Sequence, residues 1–220
     1  MSLLISRPLS ADIPLFPGTP PVKLEAFQTT QRDGSASTTV VLNTHHGTHI
    51  DLPKHFSEQG ATVSDLIPPL RTFEPAYCID IRVDDDEGIT WEHLAPQAGT
   101  MADARALLLR TRWHRHRDDE ERYISAHPWL DPSLADALME HLPHLEILGI
   151  DVLSAASPSR PEEGGEVHKK MLLGSRVVLL MEDCDLSAEN LPDRVWQLSV
   201  APMIRERLDA TPVVAWVDPL

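Results

Sequence analysis

DPSLADALMEHLPHLEILGIDV, residues Asp131–Val152, sets a helix signature and a strand signature back to back. Asp131 can accept a hydrogen bond at a helix start, and Pro132 suits the first turn. Leu134, Leu138 and Leu142 then recur at four-residue spacing, which predicts a helix with one apolar stripe. EILGIDV (146–152) is an apolar run of strand length that ends in an acid, and ALLLRTRW (106–113) upstream is a second apolar run of strand length. One helix between two such strands points to an α/β protein with a mixed β-sheet core and few helices.

Working outward, VKLEAFQTT (22–30) alternates apolar and polar residues, and STTVVLNTHHGTHID (37–51) is rich in β-branched residues. Both read as strands. YCIDIRV (77–83), RVVLLMED (176–183) and PVVAWVDPL (212–220) add three more. Strands outnumber helices, which excludes a helical bundle and a regularly repeating βα barrel. The charged stretch WHRHRDDEERY (113–123) reads as a solvated excursion, with His114 and His116 in solvent.

The chain has 220 residues, 42% hydrophobic and 24% charged, an ordinary balance for a globular protein. Its 19 prolines and 10 glycines are spread along it, so one domain over 1–220 is expected. A formal net charge of -15 argues against nucleic acid as a partner, since phosphates require clustered Lys and Arg. Cys78 and Cys184 are the only cysteines; far apart, they make neither a disulfide framework nor a thiolate zinc site. The first residues, broken early by Arg7 and Pro8, do not read as a signal peptide, and no run is long enough to span a bilayer. The expected location is cytoplasmic.

HHGTHIDLPKH (45–55) gathers four histidines and an aspartate into eleven residues. On an extended segment, even spacing would put His45, His49 and Asp51 on one face, with Gly47 between them adding no bulk. Imidazole and carboxylate are ligands suited to Zn²⁺ or Mn²⁺, and two imidazoles with one carboxylate leave room for water. His55, set beyond Pro53, suits a general acid or base close to such an ion. His46 has the opposite parity and reads as structural. Ser154 lacks the glycines of a nucleophile elbow, Asp151 reads as a hydrogen-bonding strand end, and His141 and His144 read as structural residues at a helix end.

The run His45-x-Gly47-Thr48-His49-x-Asp51-x-Pro53-x-His55 matches the signature of the cyclase family of metal-dependent hydrolases, which includes bacterial kynurenine formamidases and isatin hydrolase-like enzymes. ADIPLFPGTPP (11–21), ALLLRTRW, HPWL (127–130), LGIDVLS (148–154) and HKKMLLGSRVVLLMEDCDL (168–186) resemble further family segments. The resemblance implies a swivelling β/β/α-type fold and hydrolysis of an amide or lactam C–N bond in a small aromatic substrate by a metal-activated water. It implies His45, His49 and Asp51 as ligands of a first Zn²⁺ or Mn²⁺, with Asp51 able to bridge to a second. His168 and Glu182 would complete the pair, giving one or two ions per subunit. It also implies His55 as the catalytic acid/base, and Phe16, where formamidases carry a tryptophan, in the substrate pocket; Trp113 is a second candidate there. A homodimer or larger homo-oligomer is expected as well. The interval from His168 to Glu182 is slightly longer than the family's. The alternatives are a lyase or cyclisation enzyme using the same site, and a non-catalytic metal-binding module.

Overall fold

The computed structural model describes residues 1–220, position 193 excepted. Its strands are β1 (Leu3–Leu4), β2 (Lys23–Gln28), β3 (Ser37–Val41), β4 (His49–Asp51), β5 (Arg71–Asp80), β6 (Gly88–Ile89), β7 (Ala106–Arg110), β8 (Trp129–Leu130), β9 (Ile147–Ile150), β10 (Leu179–Glu182), β11 (Trp196–Pro202) and β12 (Ala210–Pro219). The helices are α1 (Thr30–Asp33), α2 (Val63–Leu66), α3 (Trp91–Leu94), α4 (Glu120–Ser125), α5 (Pro132–His141) and α6 (Pro161–Leu173).

Eight strands form one sheet in the order β1-β12-β11-β5-β7-β9-β10-β4, and β4 also pairs with β12. That extra pairing closes seven strands into a barrel-like ring, and β1 pairs with β12 further along, Leu3 and Leu4 opposite Val217 and Trp216. The sheet is mixed: β5, β7, β9 and β10 run parallel, whereas β4, β11 and β12 pair antiparallel with their neighbours. The parallel strands β7, β9 and β10 are buried at every residue, which is why their sequences are continuous apolar runs rather than alternating ones.

Alternation nonetheless sorts their side chains. Leu107, Leu109, Leu148, Ile150 and Leu180 meet the helical layer containing Leu134 and Leu138 of α5. Ala106, Leu108, Ile147, Leu179 and Met181 pack with Ile50, Leu52, Val200 and Ala215 inside the ring. The α5 helix starts as its sequence dictates: Asp131 caps it by accepting from the Ser133 amide at 2.8 Å. Among the described residues, no helix is long and apolar enough to cross a membrane.

Two local expectations are corrected, and one helix appears that the sequence did not signal. Residues 37–51 are not one strand. β3 pairs only with β2 in a separate hairpin, and the chain then turns before β4. The Asn43 side chain accepts from the His45 amide at 2.9 Å, and Gly47 adopts φ 60°, so turn chemistry overrides the β-branched composition.

The charged stretch 113–123 is not a solvated excursion. Trp113 and Tyr123 are buried, α4 begins inside it, and Arg117 bonds to buried Asp183 at 2.8 Å. His114 is partly covered too, 3.8 Å from Asp151. Long side chains with buried stems and paired heads hide such a segment's packing from its composition.

The segment 161–173, not read as regular, is the longest helix. Pro161 starts it, and Val167, His168, Met171 and Leu172 form its buried face. A Cβ on Gly164 would fall 2.4 Å from the Ala156 Cβ, so its glycine permits close approach to the loop after β9.

Candidate metal centre

Strand register builds the inner part of the site. His49 and Asp51 lie two residues apart on β4, so they share a face while Ile50 points into the ring. In the antiparallel pairing, Glu182 of β10 stands directly opposite His49, and cross-strand partners share a face. Their side chains meet: His49 Nε2 lies 3.4 Å from Glu182 Oε2 and 3.3 Å from Asp51 Oδ1. The buried face of α6 brings His168 Nε2 to 3.3 Å from Glu182 Oε1 and 3.4 Å from Asp51 Oδ2.

His45 reaches the same place from the turn before β4. Its Nδ1 lies 3.0 Å from Asp51 Oδ1, and its ring centroid is 5.0 Å from that of His49. Strand parity therefore does not bring His45 there; the turn through Gly47 does. His55 ends a single 3₁₀ turn, Pro53–His55, with its ring 4.3 Å from His45. His46 points away, with Nε2 2.8 Å from the Pro20 carbonyl.

Supporting bonds surround the carboxylates. Glu182 Oε1 accepts from the Ala155 amide at 2.7 Å and the Ser154 hydroxyl at 3.2 Å. Asp151, buried at the end of β9, accepts from the Thr111 amide and hydroxyl at 2.9 and 2.6 Å. Asp209, one residue before β12, was not signalled by its sequence context, IRERLDATP. Its Oδ2 lies 3.0 Å from His45 Nε2 and 3.5 Å from His55 Nδ1.

The donor set fits a divalent cation. Imidazole nitrogens and carboxylate oxygens form three compact groups: His45, His49 and Asp51; Asp51, His168 and Glu182, sharing Asp51 with the first; and the more exposed His45, His55 and Asp209. Within them, His49 Nε2 and Asp51 Oδ1 are buried without a hydrogen-bond partner, although buried polar atoms are normally satisfied.

The carboxylates also favour the protonated form of the rings around them. Burial lowers the pKa of His45, but Asp209 and Asp51 outweigh it and raise it to about 9. Burial likewise opposes protonation of His168, and Asp51 and Glu182 raise its pKa to about 10. Burial and the neighbouring Asp51 push the Glu182 carboxyl up, yet His168 and His49 hold it at about 2. Two adjacent carboxylates in a dry site demand compensating positive charge.

The cluster floors a cavity of about 440 Å³ that is also lined by Pro14, Phe16, Pro20, Phe56 and Leu153. Phe16 thus lies on the cavity wall. Trp113 does not; it is buried elsewhere, its indole donating to the Tyr123 carbonyl at 3.2 Å.

A Cyclase family model matches residues 3–157, well over half of the chain. The chain belongs to the Cyclase family. The match includes the β4 motif and stops short of His168, Glu182 and Asp209. This Cyclase-family chain is 28% identical over 218 residues to kynurenine formamidase of Bacillus cytotoxicus, covering 98% of this chain and 96% of the relative. It superposes on an isatin hydrolase bound to the product analogue thioisatinate with a TM-score of 0.80 at 19% identity, covering 100% and 92% of the two chains. A protein described as a predicted metal-dependent hydrolase from Bacillus stearothermophilus gives a TM-score of 0.75 at 20% identity, covering 99% and 97%. The cyclase-family fold expected from the motif is the fold these solved structures share.

Proposed function

We propose that this Cyclase-family protein hydrolyses the amide or lactam C–N bond of a small aromatic substrate, with an arylformamide such as N-formylkynurenine as the leading candidate. The enzyme is a metal-dependent hydrolase. The observation that carries this reading is the pair of orphaned buried atoms, His49 Nε2 and Asp51 Oδ1, at the floor of a largely apolar cavity. Similarity to kynurenine formamidases over nearly the whole chain supports the substrate class.

His45, His49 and Asp51 would hold one ion, Zn²⁺ or alternatively Mn²⁺, and Asp51, His168 and Glu182 a second. Such an ion supplies Lewis acidity, lowering the pKa of water from about 16 toward about 7 and polarising a carbonyl oxygen. His55 takes the proton of the attacking water and delivers it to the nitrogen as the C–N bond breaks, so the products are a carboxylate and an amine. With Nδ1 turned to Asp209, its Nε2 is the nitrogen available for that transfer. Phe16 offers its ring to the aromatic part of the substrate, and Phe56, 4.6 Å from the His55 ring and 5.2 Å from His168, limits access of bulk water.

The functional unit is one domain over 1–220, since β4 and β12 come from opposite halves of the chain and close the ring together. It works in the cytoplasm as a homodimer or larger homo-oligomer. Support for self-association comes from the β2–β3 hairpin, which exposes Leu24, Phe27, Val40 and Val41. An isolated two-stranded hairpin is marginal in water.

The test is a panel of N-formylkynurenine, isatin and simple cyclic amides, read by mass spectrometry with zinc- or manganese-loaded protein. Carboxylate and amine products are expected from at least one aromatic amide. Absence of turnover across the panel with a fully loaded site would refute the reading.

A further inference from the structure

Three imidazoles face the metal cluster, and they are oriented in two different ways. His49 and His168 each turn Nδ1 to a backbone carbonyl, Gly47 at 2.8 Å and Gly164 at 2.7 Å. That leaves Nε2 of each ring for the cluster. His45 is reversed. Its Nδ1 faces Asp51, and its Nε2 lies 3.0 Å from Asp209 Oδ2. The orientation of His45 therefore depends on a side chain, where the other two depend on backbone.

The carboxylate that holds it is itself fixed. Asp209 Oδ1 accepts from the Thr44 hydroxyl at 3.2 Å. Its backbone carbonyl accepts from the Leu52 amide at 2.9 Å, extending the β4–β12 pairing by one step. The same Oδ2 that meets His45 also lies 3.5 Å from His55 Nδ1.

We propose that Asp209 is a positioning residue, orienting both the metal-binding His45 and the acid/base His55 through one carboxylate oxygen. A neutral imidazole carries one N–H. When His45 donates that N–H from Nε2 to Asp209, its Nδ1 presents a lone pair toward the cluster, the usual service of a carboxylate behind a ligating histidine. When His55 donates from Nδ1 to the same oxygen, Nε2 is left for proton transfer. A carboxylate oxygen has acceptor capacity for both donors. Asp209 thereby links the geometry of the ion to the geometry of the group that moves the proton.

The inference rests on the functional reading above, and the experiment separates the two. Zinc affinity is measured by competition with a chelating dye. Separately, kcat and KM are measured at saturating zinc on the aromatic amide that the unaltered protein turns over best. Asp209→Asn is expected to weaken zinc roughly 10- to 100-fold. At saturating zinc it should lower kcat while leaving KM little changed. In a His55→Ala background, Asp209→Asn should still weaken zinc but cost no further kcat, because its effect on turnover runs through His55.

Thr44→Val, which frees only Oδ1, should weaken zinc in the same direction by less; it carries the test if Asp209→Asn does not fold. Unchanged zinc affinity in these variants overturns the role of Asp209, as does a kcat loss that persists undiminished beside His55→Ala. A protein that takes up no zinc before any substitution overturns the functional reading instead.

Discussion

The two halves of the candidate site are built differently. His49, Asp51 and Glu182 stand on paired strands, with side-chain exposures of 3%, 1% and 4%. His45, His55 and Asp209 stand on a turn, a 3₁₀ turn and a strand approach, with exposures of 21%, 31% and 35%. Ladder hydrogen bonds fix the first group, so its geometry is set once the barrel closes. In the second, backbone bonds anchor His55 and Asp209 to Leu52, but side-chain contacts orient the rings and the carboxylate, so one substitution can disturb it without unfolding the ring. The strand-borne half therefore suits holding an ion, whereas the turn-borne half divides: His45 turns Nδ1 to the same ion site, and His55 is placed to move a proton.

The largest effect expected on this contrast is from the strand-borne half. Asp51 belongs to both of the buried candidate ligand groups among the three, so Asp51→Ala should abolish metal uptake and hydrolysis together, measured by metal analysis and turnover on one preparation. Full activity without metal would break the contrast at its root. From the turn-borne half, His55→Ala should keep its metal and lose roughly 10²- to 10⁴-fold in kcat, the usual worth of a positioned acid or base. Metal loss in that variant would place His55 among the ligands.

Phe16→Ala touches neither half. It should raise KM by about tenfold or less with kcat nearly unchanged, the pattern of lost uniform binding. A fall in kcat of the same size would instead make Phe16 part of the alignment of the scissile bond.

The smallest effect concerns pH. Folding raises the pKa of His45 from 6.5 to about 9 and that of His168 from 6.5 to about 10. Protonated rings therefore stabilise the metal-free fold fully below pH 6.5, and that stabilisation is lost as pH rises through 9 and 10. Calorimetry should show the metal-free protein losing more melting temperature between pH 7 and pH 10 than the zinc-loaded protein, whose ligand rings carry no extra protons. Equal losses would mean that the cluster does not hold those protons.

Legibility in the sequence followed the range of the interactions. The α5 helix was readable because its cap, its first-turn proline and its leucine spacing all act within a few residues. The fully buried strands β7, β9 and β10 were readable as short apolar runs. The α6 helix was obscured by the low helix propensity of Gly164 and Gly165, of which Gly164 is offset by close packing on Ala156. The stretch 113–123 was misleading because Arg117 and Tyr123 are satisfied by Asp183, about sixty residues away.

The sequence by itself determined that imidazoles and a carboxylate would gather around Gly47, because residue type and motif spacing are local properties. It also determined a mixed α/β chain built mainly from strands. Only the tertiary structure decided that a turn, not a strand face, delivers His45, and that helix α6 delivers His168. It alone decided that Asp209, 154 residues beyond His55, stands behind two of the histidines. The physical reason is ring closure: pairing β4 with both β10 and β12 joins distant segments of chain, and no local pattern encodes which side chains that closure brings face to face.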